Sequence, residues 1–144
     1  MNLSLEDRTA VICGSTQGIG LAIAEELALL GASCILIARN EDALKESLTK
    51  LSVDSRQLHS YAVADFTDAE NVRKVISEIM KKNVVHILIN NTGGPPAGPI
   101  CDAKEEEFIK AFNQHLICNH ILTKAVVPGM IEANFGRIIN IIST

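Results

Sequence analysis

Short runs rich in valine and isoleucine alternate along this chain with longer segments of helical period, and this alternation restricts the fold more than any other feature. Runs of this kind are typical of strands buried on both faces, and the segments between them are long enough for crossover helices. The sequence therefore predicts βαβ units joined into a parallel sheet. The five predicted strands are Thr9 to Cys13, Cys34 to Ala38, Gln57 to Val63, Val85 to Ile89 and Ile138 to Ile142.

Two of the intervening segments have recognisable helix ends. Gly18 to Leu30 has apolar residues at spacings of three and four, and Gly31 is placed to end that helix. Before the helix that follows the third strand, Thr67-Asp68-Ala69-Glu70 matches a capping box. We therefore expect the Thr67 side chain to cap that helix.

Right-handed crossovers between these elements predict an α/β fold, a Rossmann-type doubly wound parallel sheet with strand order 3-2-1-4-5. Its 144 residues and 47% hydrophobic composition fit a single domain over residues 1–144. The ligand crevice of such a sheet lies beyond the carboxyl ends of strands one and four. The fifth strand is apolar on both faces, so we expect the domain to lack a C-terminal part unless another subunit covers this edge.

Composition and charge exclude several classes of partner. The 13 basic and 17 acidic residues give a net charge of −4, which offers no broad positive field for nucleic acid or anionic lipid. No apolar run approaches the roughly 18–20 residues that span a bilayer, and the N-terminus does not resemble a secretory signal, so a cytoplasmic protein is expected. No metal site is expected either, since the cysteines and histidines form no ligand cluster, and the cysteines are expected to be reduced packing residues. These residues are Cys13, Cys34, Cys101, Cys118, His59, His86, His115 and His120.

A glycine-rich turn separates the first predicted strand from the first predicted helix. At such a junction the free N–H groups and the positive dipole end of the helix meet an anion. Gly14 allows the tight turn, Gly18 lets the backbone approach a pyrophosphate, and Gly20 lets the helix pack closely on the strand. The turn is therefore predicted to bind the pyrophosphate of a dinucleotide cofactor. The candidate residues are Gly14, Ser15, Thr16, Gln17, Gly18, Ile19 and Gly20.

The residues that end the second strand favour NADP over NAD. An acidic side chain that would bond the 2′-hydroxyl of NAD is missing at Ala38, and Arg39 stands beside that place. A guanidinium suits a 2′-phosphate, so Arg39, with Asn40 next to it, is a candidate contact to NADP. The alternative is that Arg39 is a solvated residue at the end of a strand.

Three motifs in order resemble those of the short-chain dehydrogenase/reductase family. They are Gly14-x-x-x-Gly18-x-Gly20, Asp65 after the third strand, and Asn90-Asn91-Thr92-Gly93 after the fourth. The chain is most similar to the branch that contains 3-oxoacyl-(acyl-carrier-protein) reductases and glucose dehydrogenase-like enzymes. The resemblance implies an NADP-dependent oxidoreductase that reduces a carbonyl, such as that of a 3-oxoacyl thioester, by hydride transfer from the nicotinamide.

The resemblance also assigns roles to the residues that follow the third and fourth strands. It implies that Asp65 bonds the adenine amino group, with the backbone amide of Phe66 beside it. Asn90 would contact the cofactor ribose and brace the sheet, and Thr92 and Gly93 of the same motif complete the cofactor site. Alternatively, Asp65 is an acid that flanks a turn, and Asn90 is a structural residue at a strand end.

The catalytic part of the resemblance is incomplete within the sequence. Ser143 stands at the place of the family's serine, which orients the substrate carbonyl. The family's Tyr-x-x-x-Lys motif would lie beyond Thr144, and Tyr61, the only tyrosine, has Asp65 in the lysine position. We therefore expect a truncated form of a longer reductase, inactive or nearly so as 144 residues, because no acid is positioned to protonate the alkoxide.

His115 is the second candidate catalytic residue. It stands where the family has an asparagine that holds a water of the proton relay, and a histidine can also bond a water. Asn113 and Asn119 flank it as alternatives for that role. His115 can instead be a partly buried helix residue.

A long helical region precedes the last strand. It is predicted to open at Asp102 and run to about Asn134, with a break near Phe112 to Gln114 and an end at Gly136. In the family, the part from residue 115 to 134 packs against its counterpart in another subunit, so a homo-oligomer is expected. The alternative use of its apolar side chains is burial against the sheet.

Two functions of different kinds therefore remain open for this chain. The first is an oxidoreductase acting on a small-molecule carbonyl or acyl substrate. The second is a non-catalytic module that binds the cofactor or assembles an oligomer, which the missing Tyr-x-x-x-Lys pair favours.

Overall fold

The computed structural model describes residues 3–54, 56–94 and 98–142, which form a five-stranded parallel sheet. The sheet order is β3-β2-β1-β4-β5, and every pair of neighbours is parallel. The predicted fold class and strand order are therefore confirmed. The strands are β1 (Thr9–Cys13), β2 (Ser33–Ala38), β3 (Ser60–Val63), β4 (Ile87–Asn90) and β5 (Arg137–Asn140).

Helices cover both faces of the sheet. Side chains of α1 and α2 pack on one face, and side chains of α3 and α5 pack on the other. A short 3-10 turn and a π-helical turn lie between β4 and α5. The helices are α1 (Gly18–Leu29), α2 (Glu41–Leu48), α3 (Ala69–Lys82), α4 (Glu105–Ala111) and α5 (Cys118–Glu132), and the two turns are Ile100–Asp102 and Phe112–Ile117.

The central strand β1 shows why the strands read as continuous apolar runs. Val11 and Cys13 face α3 and α5, whereas Ala10 and Ile12 face α1 and α2, and all four are fully buried. A strand covered on both faces needs an apolar side chain at every position. Full burial of a side chain such as Ile12 stabilises the fold by about 1.5–3 kcal/mol.

Among the described residues, the outer strand β5 has a neighbouring strand on one side only. Ile138 and Ile139 are 36% and 47% exposed, in contrast to the buried residues of β1 and β4. The strand ends at Asn140, two residues earlier than predicted. Its free edge is the one that the sequence predicts to need a covering segment.

The cap of α3 differs from the prediction, because Asp68 and not Thr67 caps the helix. The Asp68 carboxylate accepts hydrogen bonds from the N–H groups of Glu70 and Asn71, at 2.9 and 3.1 Å. The Thr67 hydroxyl and N–H both donate to Asp65 Oδ1, at 2.8 and 2.9 Å. The carboxylate of Asp65 therefore holds Thr67 outside the helix, and the capping-box prediction is wrong by one residue.

The end of α5 also differs from the prediction. Asn134 has a positive φ of 50°, and the N–H groups of Asn134 and Phe135 bond the carbonyls of Ile131 and Met130. This Schellman geometry ends the helix before Gly136. Gly136 serves close packing instead, since a Cβ there would lie 2.8 Å from the Met130 Cβ. The end of α1 matches the prediction, with Gly31 at a φ of 99°.

Three further expectations are corrected. The predicted third strand begins at Ser60 and not at Gln57, whose buried side chain donates to the carbonyls of Ala28 and Ala32. The predicted break near Phe112 to Gln114 is a π-helical turn that continues from α4 into α5. The expectation that the cysteines are packing residues fits Cys13, Cys34 and Cys118, which are buried, and is wrong for Cys101, which is exposed.

Candidate functional site

A cleft of about 360 Å³ opens at the carboxyl edge of the sheet. The strand register sets Cys13 beside Ile37 and Ala38 beside Val63, so the segments after these strands converge there. A larger groove of about 450 Å³ lies between β3 and α3, but no predicted site residue lines it. The cleft is lined by Gly14, Thr16, Gln17, Gly18, Ala38, Arg39, Asn40, Asp65, Phe66, Thr67, Asn91, Thr92, Gly93 and Gln114.

The glycine-rich turn has the backbone geometry that its sequence predicts. Gly14 and Gly18 have positive φ values of 58° and 55°, which residues with a Cβ rarely adopt. The Gly14 N–H donates to the Ile37 carbonyl at 2.8 Å, so the turn is fixed to β2. Gly20 lies so close to the turn that a Cβ there would be 2.8 Å from the Gly14 carbonyl carbon.

The first N–H groups of α1 are left without a side-chain cap. Its N-cap residue Gln17 makes no capping hydrogen bond, and its first turn contains no acidic residue. In contrast, α2 is capped by Asn40 and α3 by Asp68. The free N–H groups and positive dipole end of α1 are therefore available to an anion in the cleft.

Three residues of the predicted turn do not line the cleft. Ser15 is fully buried, and its Oγ has no hydrogen-bond partner in the described part of the chain. Gly20 is buried under the turn, whereas the Ile19 side chain is 58% exposed. A role for Ser15, Ile19 or Gly20 in binding would therefore come from backbone groups or from support of the turn.

The end of β2 brings a free cation to the cleft. Arg39 is exposed and takes part in none of the ion pairs found among the described residues. Asn40 uses its Oδ1 to cap α2 by accepting from the Ala43 N–H at 3.0 Å. Its Nδ2 group makes no hydrogen bond within the described ranges, so Arg39 and Asn40 both offer donors.

Asp65 lies across the cleft from the glycine-rich turn, at the end of β3. Hydrogen bonds from the N–H and then the hydroxyl of Thr67 lower the pKa of the Asp65 carboxyl, with a smaller contribution from the charge of Arg39. The carboxylate is therefore ionised at neutral pH and can accept a further donor through Oδ2. Phe66 is 6% exposed, and its carbonyl accepts from Cys118 Sγ at 3.3 Å.

Asn90, the last residue of β4, and Asn91, the residue after it, have different positions. Asn90 is buried, does not line the cleft, and donates from Nδ2 to Asn140 Oδ1 at 2.8 Å, which links β4 to β5. Asn91 lines the cleft and donates to the carbonyls of Gly14 and Cys13, at 3.2 and 3.4 Å. Asn91 was not among the predicted cofactor residues, although its place in the Asn-Asn-x-Gly motif was a signal.

The loop after Asn91 contacts the π-helical turn. The Thr92 Oγ1 and His115 Nδ1 atoms are 2.7 Å apart, and Gln114 Nε2 donates to the Gly93 carbonyl at 2.8 Å. His115 itself does not line the cleft, but Gln114 does. Gln114 is a residue that the sequence reasoning missed, since no motif marks it.

Three further points concern Ser143, Tyr61 and the types of site that the described residues do not form. Ser143 lies outside the residues that the structure describes. The hydroxyl of Tyr61 donates to Glu41 at 2.9 Å, so this tyrosine is held on α2. Within the described ranges, no three histidine, cysteine or acidic side chains gather as a metal site, and no helix is long and apolar enough to cross a membrane.

Comparison with known proteins gives related sequences and structures. The family model described as "short chain dehydrogenase" matches residues 8–144. The chain is 35% identical over 141 residues to a 3-oxoacyl-(acyl-carrier-protein) reductase of Rickettsia conorii. The aligned region covers 98% of this chain and 56% of that protein. The chain is 34% identical over 138 residues to the human inactive hydroxysteroid dehydrogenase-like protein 1, covering 94% of this chain and 42% of that protein.

A similar solved structure is the L-sorbose reductase of Gluconobacter frateurii, complexed with NADPH and L-sorbose. It matches with a TM-score of 0.86 and 31% identity, over 97% of this chain and 54% of that one. The chain thus spans about half the length of the proteins it matches. These likenesses extend over nearly all of the present sequence.

Proposed function

The chain belongs to the short-chain dehydrogenase family of oxidoreductases, and from this membership we propose that its cleft binds a nicotinamide dinucleotide, NADP in preference to NAD. One observation carries the proposal. The uncapped N-terminus of α1, behind a turn with two glycines at positive φ, shares a cleft with Arg39 and Asp65. That arrangement offers separate donors and acceptors for pyrophosphate, 2′-phosphate and adenine.

The phosphates are proposed to bind at two places. Residues 14–20 present backbone N–H groups to the pyrophosphate, with Ser15, Ile19 and Gly20 contributing through the backbone or by supporting the turn. Arg39 faces the 2′-phosphate, helped by the free Nδ2 of Asn40. A charge-assisted contact of this kind is worth about 1.5–3 kcal/mol, or roughly tenfold to a hundredfold in preference for NADP.

The rest of the cofactor is proposed to lie between β3 and β4. Asp65 Oδ2 accepts from the adenine amino group, and the Phe66 N–H lies beside the ring. Thr92 and Gly93 contact the ribose and nicotinamide half. Asn90 supports this half through its bond to Asn140, because its buried side chain does not reach the cleft surface.

The proposed reaction is reduction of a small-molecule carbonyl, with a 3-oxoacyl thioester as the substrate class. The cofactor, when bound, supplies the hydride. Ser143 is proposed to orient the substrate carbonyl, and His115 is proposed to hold a water for proton transfer through Nε2, because its Nδ1 contacts Thr92. The similarity to a 3-oxoacyl reductase supports this substrate class.

A second candidate function is a module that binds the cofactor without chemistry. Two observations favour it: Tyr61 is bonded to Glu41 and is not in the cleft, and one similar protein is named as inactive. Turnover of a 3-oxoacyl thioester with NADPH would reject this candidate. Binding of NADPH without turnover would support it.

A homo-oligomer is proposed to form through residues 115–134. Leu116 and Ile131 support it, because they are 56% and 70% exposed on this segment. Four further apolar side chains of this segment are in the core, where they cover the sheet. These are Ile121, Leu122, Val126 and Met130.

The proposed cofactor preference is tested by titrating NADPH and NADH into the 144-residue chain and following nicotinamide fluorescence. Replacing Arg39 by Leu is expected to weaken NADPH binding roughly tenfold to a hundredfold and to leave NADH binding nearly unchanged. Arg73→Leu, an exposed arginine of α3 outside the cleft, is the matched control. Equal losses for the two cofactors in Arg39→Leu would contradict the assignment to the 2′-phosphate.

A further inference from the structure

Consecutive side chains of the π-helical turn Phe112–Ile117 hold the loop that follows β4. Gln114 Nε2 donates to the Gly93 carbonyl at 2.8 Å, and His115 Nδ1 lies 2.7 Å from the Thr92 hydroxyl. On the other side, Asn91 bonds the Gly14 carbonyl at 3.2 Å. Three successive loop residues are therefore fixed, one to the glycine-rich turn and two to the π-helical turn.

The π-helical geometry helps to explain how two neighbouring residues can reach one loop. In an α-helix of 3.6 residues per turn, successive side chains point about 100° apart. A π-helix bonds residue i to i+5 and has more residues per turn, so successive side chains point closer together. Gln114 and His115 can then reach consecutive positions of the same extended loop segment.

We propose that Gln114 and His115 are positioning residues that set the loop of residues 91–93 against the glycine-rich turn and so pre-organise the cofactor cleft. The inference rests on the proposed function, since it concerns the same cleft. Thr92, Gly93 and Gln114 line that cleft, whereas the His115 ring stands behind Thr92. His115 therefore acts on the cofactor through Thr92.

Pre-organisation matters here because neither regular secondary structure nor close packing around its glycines fixes the loop. Residues 91–94 are outside any helix or strand, and a Cβ on Gly93 or Gly94 would meet nothing within 4 Å. A loop released from these bonds must be ordered again when the cofactor binds, which weakens binding. Loss of one bond is expected to weaken NADPH binding by roughly threefold to tenfold.

The test uses near-isosteric variants of the 144-residue chain. Thr92→Val removes the hydroxyl and keeps the shape, Thr92→Ser keeps the hydroxyl and lacks the methyl group, and Gln114→Met removes the amide donor. Thr123→Val makes the same change as Thr92→Val on α5, outside the cleft, and serves as the control. NADPH affinity is measured by fluorescence, and the backbone order of Thr92, Gly93 and Gly94 in the cofactor-free chain is measured by NMR relaxation.

In Thr92→Val and Gln114→Met, we expect weaker NADPH binding and loop order parameters that fall from about 0.85 toward 0.6. Thr92→Ser should keep the NADPH affinity and the loop order of the wild-type chain, and Thr123→Val should change neither. Wild-type order and affinity in both bond-removing variants would overturn the proposal, and so would a failure of Thr92→Ser to keep them. If the wild-type chain does not bind NADPH, the proposed function and the cofactor role fail together. The order parameters still decide whether the two bonds hold the loop.

Discussion

Substituting Gly20 by Ala tests the close approach of α1 to the glycine-rich turn. A Cβ at Gly20 would lie 2.7 Å from Asn91 Nδ2 and 2.8 Å from the Gly14 carbonyl carbon. The second of these atoms is backbone, so it cannot move away as the end of a flexible side chain can. The added methyl group should therefore push the start of α1 away from the turn.

The magnitude follows from two opposing effects. Inserting a methyl group into a packed site costs about 1–3 kcal/mol, and the backbone contact places Gly20→Ala in the upper half of that range. Alanine regains up to about 1 kcal/mol of helix propensity over glycine. The free energy of unfolding should therefore fall by about 1–2 kcal/mol. NADPH binding should also weaken, because the N–H groups of the turn move.

The assay is urea unfolding followed by circular dichroism, together with an NADPH titration. Gly129→Ala is the matched control, since it is the same change inside α5 and its Cβ would meet side-chain atoms only at 3.7 Å and beyond. This control should raise the free energy of unfolding by about 0.5–1 kcal/mol. A Gly20→Ala chain as stable as Gly129→Ala, with unchanged m-value, would refute the close approach.

Two further predictions concern titrating groups. Thr67→Val should raise the pKa of Asp65 in an NMR titration, because one of the two bonds that lower it is lost. In the unfolded chain the Asp65 carboxyl has a pKa near 3.9, and a lower pKa in the folded chain stabilises the fold at pH values above that. The loss of stability in Thr67→Val should therefore be complete above about pH 4 and vanish as the pH falls through the pKa of the folded chain. A difference in stability that does not depend on pH would contradict this. In the native chain at pH 8, Ellman's reagent should modify Cys101 alone, since burial raises the pKa of Cys13 and Cys34 to about 12 and also raises that of Cys118. Cys101→Ser should abolish this reaction, and rapid modification of a second thiol in the folded state would contradict the buried placement.

The strand order could be predicted because each strand carries its own signal. Burial on both faces requires an apolar residue at nearly every position, which is why Thr9–Cys13 has the same limits in sequence and structure. Alternation of these strands with helices then favours the doubly wound strand order of this fold class. The positions of Gly14 and Gly18 were equally predictable, because few residue types other than glycine adopt a positive φ.

The two errors at helix ends arose where either of two nearby residues can end or cap the helix. Thr67 and Asp68 can both cap a helix, and the choice depends on Asp65, which engages the Thr67 hydroxyl. Asn134 and Gly136 can both follow a helix end, and the choice depends on the contact of Gly136 with Met130. Tertiary contacts decide such cases, so local sequence leaves them open.

The residues missed in the site depend on contacts across the fold. Asn91 reaches Gly14, which is 77 positions away, and Gln114 reaches Gly93 from a π-helical turn. Helical periodicity does not reveal one extra residue in a turn, so the position of Gln114 could not be read from spacing. The location of the cleft was predictable from the sheet, whereas the side chains that shape its loop were not.

Affinity for NADPH in Gly18→Asp and Gly18→Asn chains tests the central claim, that the N-terminus of α1 holds the cofactor phosphates. Gly18 has a φ of 55° and open space around it, and Asn and Asp have nearly the same shape and both tolerate this conformation. The two variants therefore differ mainly in charge beside the phosphates. We predict at least about tenfold weaker NADPH binding by Gly18→Asp than by Gly18→Asn, and equal affinities in two folded variants would contradict the claim.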